Sequence, residues 1–282
     1  FFFFTPSRDR SHSWQQTPAA AAGGPAPAAM QSGGLDTDGT RYKSADDMWR
    51  EQASSPFDTA CWYQKGIDYW DKVEASVDGV LGGFGTISPN DLKHSKSFLL
   101  DVFGEQLEKS SSSLVAADCG AGVGRITKGL LSHHFTEVDV IEPVRHFLSK
   151  AEESLSSSSS TCKCNFLLKG LQEVEERPGR YDVVWIQWCI GHLTDEDCVE
   201  FLKVCSRSLK PEGVVVVKEN NARRGFVLDK QDSSVTRSDS YLVQLFTKAG
   251  LKVTTSRLET DLPEGLFAVR AYALVPQTRF FA

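Results

Sequence analysis

Apolar and polar positions divide the chain at about residue 40. Before it no periodicity holds, and Ala, Gly, Pro and Ser dominate. Residues 1–40 are expected to be a disordered extension. Arg8, Arg10 and the alanine run fit an organelle presequence, and the same stretch fits upstream sequence ahead of a start at Met30. After Thr40 the spacing turns helical. Ala45 to Gln52 reads as a helix, and Trp62 to Trp70 as another, with Tyr63 and Trp70 two turns apart on one face. Val77 to Gly85 holds four glycines and reads as a loop. Its apolar residues Val80, Leu81 and Phe84 are expected either in the core or in a lid over a site. Ser88 is the expected N-cap of the next helix, and Ser110–Ser113 a linker.

Strand and helix signals then alternate. Val115–Ala117, Glu137–Glu142, Asn165–Leu168, Tyr181–Gln187 and Val214–Lys218 read as strands. Ile126–His134, Arg145–Leu155, Asp195–Leu209 and Ser238–Ala249 read as helices. Ser156–Ser160 is a low-complexity loop, and Lys210-Pro211-Glu212-Gly213 a turn that ends a helix. Leu251–Arg257 and Ala268–Leu274 lie close enough to pair antiparallel. This pattern predicts a doubly wound α/β fold: a mostly parallel sheet with an antiparallel edge strand, spanning residues 41–276 with a short tail at 277–282.

Composition narrows the picture little. At 282 residues, the length suits one domain with a tail, or two small ones. The net charge of −6 makes general affinity for nucleic acid an unexpected property. Seven scattered cysteines include one C-x-C, Cys162 and Cys164, and no second cluster completes a metal site. Reduced thiols and no metal are expected. No apolar run is long enough to cross a bilayer.

The chemistry begins at Val115-Ala116-Ala117-Asp118-Cys119-Gly120-Ala121-Gly122-Val123-Gly124-Arg125. A strand ends in an acid, glycines recur at alternate positions, and a helix follows. Gly120, Gly122 and Gly124 can let backbone approach a bulky ligand. Their spacing differs from the dinucleotide pattern G-x-G-x-x-G. Asp118 would repel a phosphate, and no Gly-Lys-Ser/Thr follows. Glu142 ends the next strand about 20 residues on, where such folds hold a ribose diol. A ligand with a ribose, a positive charge and no phosphate is S-adenosylmethionine.

Asp118 to Arg125 resembles motif I of class I methyltransferases. Longer strings narrow this. Val77 to Gly85, Trp185-Ile186-Gln187-Trp188-Cys189-Ile190-Gly191-His192, Lys218-Glu219-Asn220 and Leu228 to Arg237 resemble the protein α-N-terminal methyltransferases. The likeness runs from about Tyr63 to Leu274. It implies a seven-stranded class I methyltransferase sheet with added N-terminal helices. It also implies transfer of methyl groups to the free α-amine of proteins beginning Xaa-Pro-Lys or Xaa-Pro-Arg. Cytoplasmic or nuclear placement follows from the same family, and neither a membrane nor nucleic acid is required.

The resemblance also implies roles. Arg125 lies near the methionine carboxylate of the cofactor and Glu142 takes the ribose. Leu171 and Gln172 border the adenine, Gln187 and Trp188 stand at the crevice, and Tyr69 and Trp70 close over the cofactor. Asp232 and His192 are candidates for deprotonating the amine, and Asn220 for holding the terminal residue. Asp229 and Ser234 are expected to meet the basic third residue. Leu81, Phe84, Ile87 and Trp188 would form an apolar wall around the proline, which has no N–H to be read. Phe84 and Phe267 stand where relatives often carry Tyr, and Asn221 and Arg223-Arg224 also depart from the usual run.

An α-amine titrates near 7.7–8.0 and a lysine side chain near 10.4, so the former loses its proton more readily. Two other readings remain at this point. One is a methyltransferase acting on a lysine side chain or small-molecule amine; the other is a binding module that no longer catalyses.

Overall fold

The computed structural model describes residues 33–52, 59–109, 113–157 and 161–280. In chain order the elements are β1 (Gly34–Asp36), β2 (Arg41–Tyr42), α1 (Ala45–Gln52), α2 (Thr59–Trp70), α3 (Val77–Val80), α4 (Ser88–Lys109), β3 (Val115–Cys119), α5 (Arg125–Gly129), β4 (Glu137–Ile141) and α6 (Arg145–Ser156). They continue with β5 (Lys163–Leu167), β6 (Tyr181–Gln187), α7 (Asp195–Ser208), β7 (Leu209–Asn221), β8 (Phe226–Asp229), β9 (Ser234–Arg237), α8 (Asp239–Lys248), β10 (Leu251–Leu258) and β11 (Ala268–Pro276).

Seven strands form one sheet in the order β10-β11-β7-β6-β3-β4-β5. From β7 to β5 all neighbours are parallel, and β11 is the reversed strand, paired antiparallel with both β7 and β10. Strands β3 and β6 are buried along their whole length. Parallel strands covered on both faces carry such near-continuous apolar runs. Alternate residues feed two cores. Ala117, Val184 and Val215 join Phe201 of α7 and Leu245 of α8, whereas Ala116, Val183 and Val216 join Phe98 of α4 and Leu148 of α6. The chain runs outward through β3, β4 and β5, then returns to lay β6 and β7 on the other side of β3. That reversal opens a crevice at the carboxyl ends of β3 and β6, where such sheets bind ligands.

Several local expectations change. The Val77–Gly85 stretch is ordered: Ser76 Oγ accepts from Gly79 N at 3.0 Å, capping α3, and Asp78 Oδ1 accepts from Gly85 N at 2.8 Å. Ser88 is not an N-cap. A 3₁₀ turn, Gly85–Ile87, runs straight into α4, so Ser88 already has helical dihedrals. The expected helix 126–134 breaks after Gly129, which is pressed on Leu92 so closely that a Cβ would lie 2.7 Å from it. Lys210–Gly213 is not a separate turn but an irregular start of β7, with the register jumping between the Tyr181 and Val183 pairings.

A second sheet went unread. Its order is β2-β1-β8-β9, with β8 and β9 an antiparallel hairpin and β1 parallel to β8. Residues 34–36, placed by the sequence in a disordered extension, are therefore a strand. Residues 1–32, 110–112 and 158–160 lie outside the described residues, taking with them most of the extension, the linker and part of the serine loop. The tail begins with a 3₁₀ turn, Gln277–Phe280, and Arg279 donates to Gly213 O at 2.9 Å.

Candidate active site

The crevice at the ends of β3 and β6 is lined by α2, the glycine loop, the end of β4 and the segment after β6. Gly120, Gly122 and Gly124 have φ of 69°, 55° and 76°, a region that side chains with a Cβ avoid. Their reasons differ. A Cβ at Gly120 would lie 2.5 Å from that of Cys189, and one at Gly124 would lie 3.0 Å from that of Ala151. Gly120 and Gly122 line the crevice, but Gly124 faces α6 and does not. It belongs to the turn and the packing rather than to the ligand surface.

Asp118 also has a second duty. Gly124 offers no side chain to cap α5, and Asp118 Oδ2 instead accepts from Thr127 N at 3.0 Å and Thr127 Oγ1 at 2.6 Å. Burial raises its pKa to about 6. One oxygen of the acid that precedes the glycine loop is thus committed to a helix start.

Glu142 fits the ribose role. Its Oε2 accepts from Gly122 N at 2.8 Å and its Oε1 from Val144 N at 2.9 Å, and burial pushes it up to about 7. A carboxylate has about four acceptor sites, so one on each oxygen stays open to a vicinal diol. Leu171 and Gln172 line the same crevice beside Pro143, Val144 and Phe147, an apolar surround suited to a flat purine. These residues fit S-adenosylmethionine.

Behind the loop lies a hub that the sequence did not reveal. Asp91 of α4 meets Arg125 Nη1 at 2.6 Å, Lys218 Nζ at 2.7 Å and Gln187 Nε2 at 2.9 Å. Burial works against its charge, yet Lys218 and Arg125 outweigh that and hold Asp91 below the usual carboxylate range. Gln187 Oε1 takes the Trp185 indole N–H at 3.0 Å. Gln187 therefore acts at the crevice wall largely by holding Asp91 and Trp185. The Arg125 guanidinium lies 5.5 Å from the Trp188 ring centroid and Lys218 Nζ 5.9 Å, within cation–π range. A lysine ending an all-valine buried strand was the available signal: it demands a buried acid without naming which.

A smaller cavity adjoins the crevice. Trp188, Gly191, His192, Glu219, Asn220, Ser234, Val235 and Thr236 line it, and Trp188 and His192 line the crevice as well. Trp188 holds φ at 57°, unusual for a bulky residue, with its N–H donating to Lys218 O at 2.9 Å.

His192 is fixed in one tautomer. The Trp70 indole N–H donates to its Nε2 at 3.3 Å, so Nδ1 carries the proton and donates to Ser233 O at 3.1 Å. Burial lowers its pKa to about 4. Asp232 differs. It is fully buried, neither carboxylate oxygen has a well-aligned hydrogen bond among the described residues although the Ser234 hydroxyl and amide lie near enough to favour its charge, and His192 Nε2 stands 3.9 Å from Oδ2. Burial raises Asp232 to about 6. Asn220 Oδ1 is likewise buried without a partner, as is Oε2 of Glu219, an acid that sequence reasoning passed over. Gly66 lets α2 rest on this corner: a Cβ there would lie 3.2 Å from Asp232 O.

The remaining candidates divide. Asp229 and Ser234 are cross-strand partners that close the β8–β9 hairpin, so Asp229 ends a strand rather than sitting on a loop. Asp229 Oδ1 accepts from Gln231 N at 2.7 Å. Trp70 lines the crevice as expected. Tyr69 does not; its hydroxyl is raised by burial and by the charges of Asp232 and Asp229, which puts it on the acid side. Leu81, Ile87 and Trp188 share one buried cluster with Phe84 packed against it. Leu81 and Trp188 reach the crevice, whereas Phe84 and Ile87 line neither cavity.

Residues 58–275 match the family described as AdoMet dependent proline di-methyltransferase. The chain belongs to this family. As a member of the protein α-N-terminal methyltransferases it is an S-adenosylmethionine-dependent enzyme. It is 49% identical over 252 residues to an Arabidopsis thaliana protein named alpha N-terminal protein methyltransferase 1, covering 87% of this chain and 91% of that one. It is 44% identical over 217 residues to the Danio rerio N-terminal Xaa-Pro-Lys N-methyltransferase 1, covering 77% and 96%. Among solved structures, a SAM-dependent methyltransferase from Leishmania major superposes with a TM-score of 0.80 at 36% identity, covering 90% of this chain and all of that one.

Proposed function

We propose that this methyltransferase acts on the free α-amine of proteins beginning Xaa-Pro-Lys or Xaa-Pro-Arg. The observation that carries the reading is Asp232, a buried carboxylate with no well-aligned hydrogen bond on either oxygen among the described residues, beside the equally unpartnered Oδ1 of Asn220. Open acceptors in a dry site call for a ligand rich in N–H donors, and a terminal ammonium is one. When bound, S-adenosylmethionine supplies a methyl group on a sulfonium leaving group. The chain's own residues do the rest. Asp232 accepts the proton that the ammonium must lose before its nitrogen has a lone pair. Asn220 Oδ1 accepts from an N–H of the terminal residue and orients it. Leu81 and Trp188 offer apolar contact to the proline, and Asp229 with Ser234 faces the basic third side chain. His192 holds its Nε2 toward Trp70 and acts chiefly by fixing the Asp232–Ser233 backbone. The Danio rerio relative carries Xaa-Pro-Lys in its name, which supports the same substrate class.

A lysine side chain starts with a pKa near 10.4 and asks far more of an acceptor at about 6 than an α-amine does. The test is to incubate the protein with labelled S-adenosylmethionine and a peptide beginning Ser-Pro-Lys, beside the same peptide acetylated at its terminus. Label on the free peptide alone is expected; equal labelling of both would place the methyl on the lysine and overturn the reading.

A further inference from the structure

The family match begins at residue 58, and β1, β2 and α1 all precede it. This early segment is tied to the hairpin that bears Asp229 and Ser234. Leu35 pairs with Val227 and Asp36 with Leu228, and Thr37 N donates to Leu228 O at 2.9 Å. Gly34 passes so close that a Cβ would lie 2.5 Å from Phe226 O. Asp36 is fully buried. Its Oδ1 accepts from the amides of Asp38 at 3.0 Å and Thr40 at 2.8 Å. Its Oδ2 meets Lys230 Nζ at 2.6 Å, with the Tyr42 hydroxyl at 3.4 Å. The Lys230 ammonium also stands 5.9 Å from the Tyr42 ring centroid. At the other end of the segment, Trp49 Nε1 donates to Asp195 Oδ2 at 3.2 Å and its ring meets Trp62 edge-on at 5.1 Å.

Lys230 occupies the hairpin loop between Asp229 and Asp232. An untethered ammonium there would compete with the substrate's own cations for both acids. We propose that residues 34–52 form a strap positioning the β8–β9 hairpin for its substrate, with Asp36 a positioning residue that keeps the Lys230 ammonium off Asp229 and Asp232. The strap rests on the substrate reading above and adds to it a part of the chain that the family match leaves out. Its consequence is selective. Loosening it weakens capture of a peptide with a basic third residue and leaves the cofactor side alone.

The experiment compares wild type, Asp36→Asn, Lys230→Gln and the double variant on a Ser-Pro-Lys peptide. In Asp36→Asn the peptide KM is expected to rise about fivefold, while the Kd for S-adenosylhomocysteine stays within about twofold. The double variant should recover part of that KM, because the released ammonium is gone while the loosened hairpin remains. A double variant no better than Asp36→Asn, or a cofactor Kd that rises in step with the peptide KM, would overturn the proposal. Amide hydrogen exchange of residues 226–237 in Lys230→Gln reads the tether without turnover and without touching Asp36. Faster exchange confined to the hairpin is expected, and unchanged exchange would sink the strap. Failure of the wild-type protein to methylate the peptide would instead count against the substrate reading, and the exchange result would still stand.

Discussion

The two chambers that meet at Trp188 treat their buried acids in opposite ways. On the cofactor side, Glu142 has a backbone amide on each oxygen and Asp118 has Thr127. Those acids are held by the chain before any ligand arrives. On the side we propose for the peptide, Asp232, Glu219 and Asn220 leave oxygens without well-aligned partners among the described residues. A closed network suits a ligand whose shape never varies. Open acceptors suit a ligand that brings its own donors and differs from one protein terminus to the next.

The sharpest way to break this contrast is Asp232→Asn. Removing a general base costs about a hundredfold or more in kcat. Calorimetry with S-adenosylhomocysteine should show unchanged cofactor affinity, and full activity in the variant would remove Asp232 from the proton-accepting role. The mirror experiment is Glu142→Gln. One oxygen becomes a donor facing an amide, so Gly122 or Val144 loses its acceptor at about 1–3 kcal/mol. S-adenosylhomocysteine should bind about tenfold or more weakly with the peptide KM little changed; a change in peptide KM alone would invert the assignment of the chambers. Gly120→Ala puts a Cβ against Cys189 at positive φ and should destabilise the fold by about 2 kcal/mol in urea titration.

The last contrast is in stability against pH. Asp118, Glu142, Glu219 and Asp232 are raised by burial to about 6, 7, 7 and 6. Unfolded, such acids titrate near 4. Between those values the folded state binds more protons, so the ligand-free protein should lose stability as pH rises from about 4 to about 7. Glu137 works the other way: Arg180 holds it at about 2, and its contribution is lost as pH falls through 4 toward that value. A calorimetric Tm higher at pH 5.5 than at pH 8 is expected; a flat profile would mean that the buried acids of the two chambers are ionised at little cost.

The main sheet was legible because its strands are long, apolar and separated by helices with plain periodicity. The glycine loop and Glu142 were legible for the same reason: an element boundary places them. The small sheet was not. Its strands run two to four residues, too short for an alternation to register, and β1 finds β8 across about 190 residues of sequence. Val77 to Gly85 misled in another way. Its glycines hid a capped turn, since Ser76 and Asp78 act through side chains that composition does not weigh. The Asp91 hub joins residues from α4, α5, β6 and β7, and no spacing in the sequence announces a meeting of that kind.

Trp62, Trp70 and Trp188, half of the six tryptophans in the chain, all border the crevice. Trp70 donates to His192, and Trp188 lies near two cations. Indole emission is sensitive to nearby charge and to water. The protein thus carries its own optical probe at the place where its ligands arrive, and unlabelled titrations followed by intrinsic fluorescence can separate the filling of one chamber from the other.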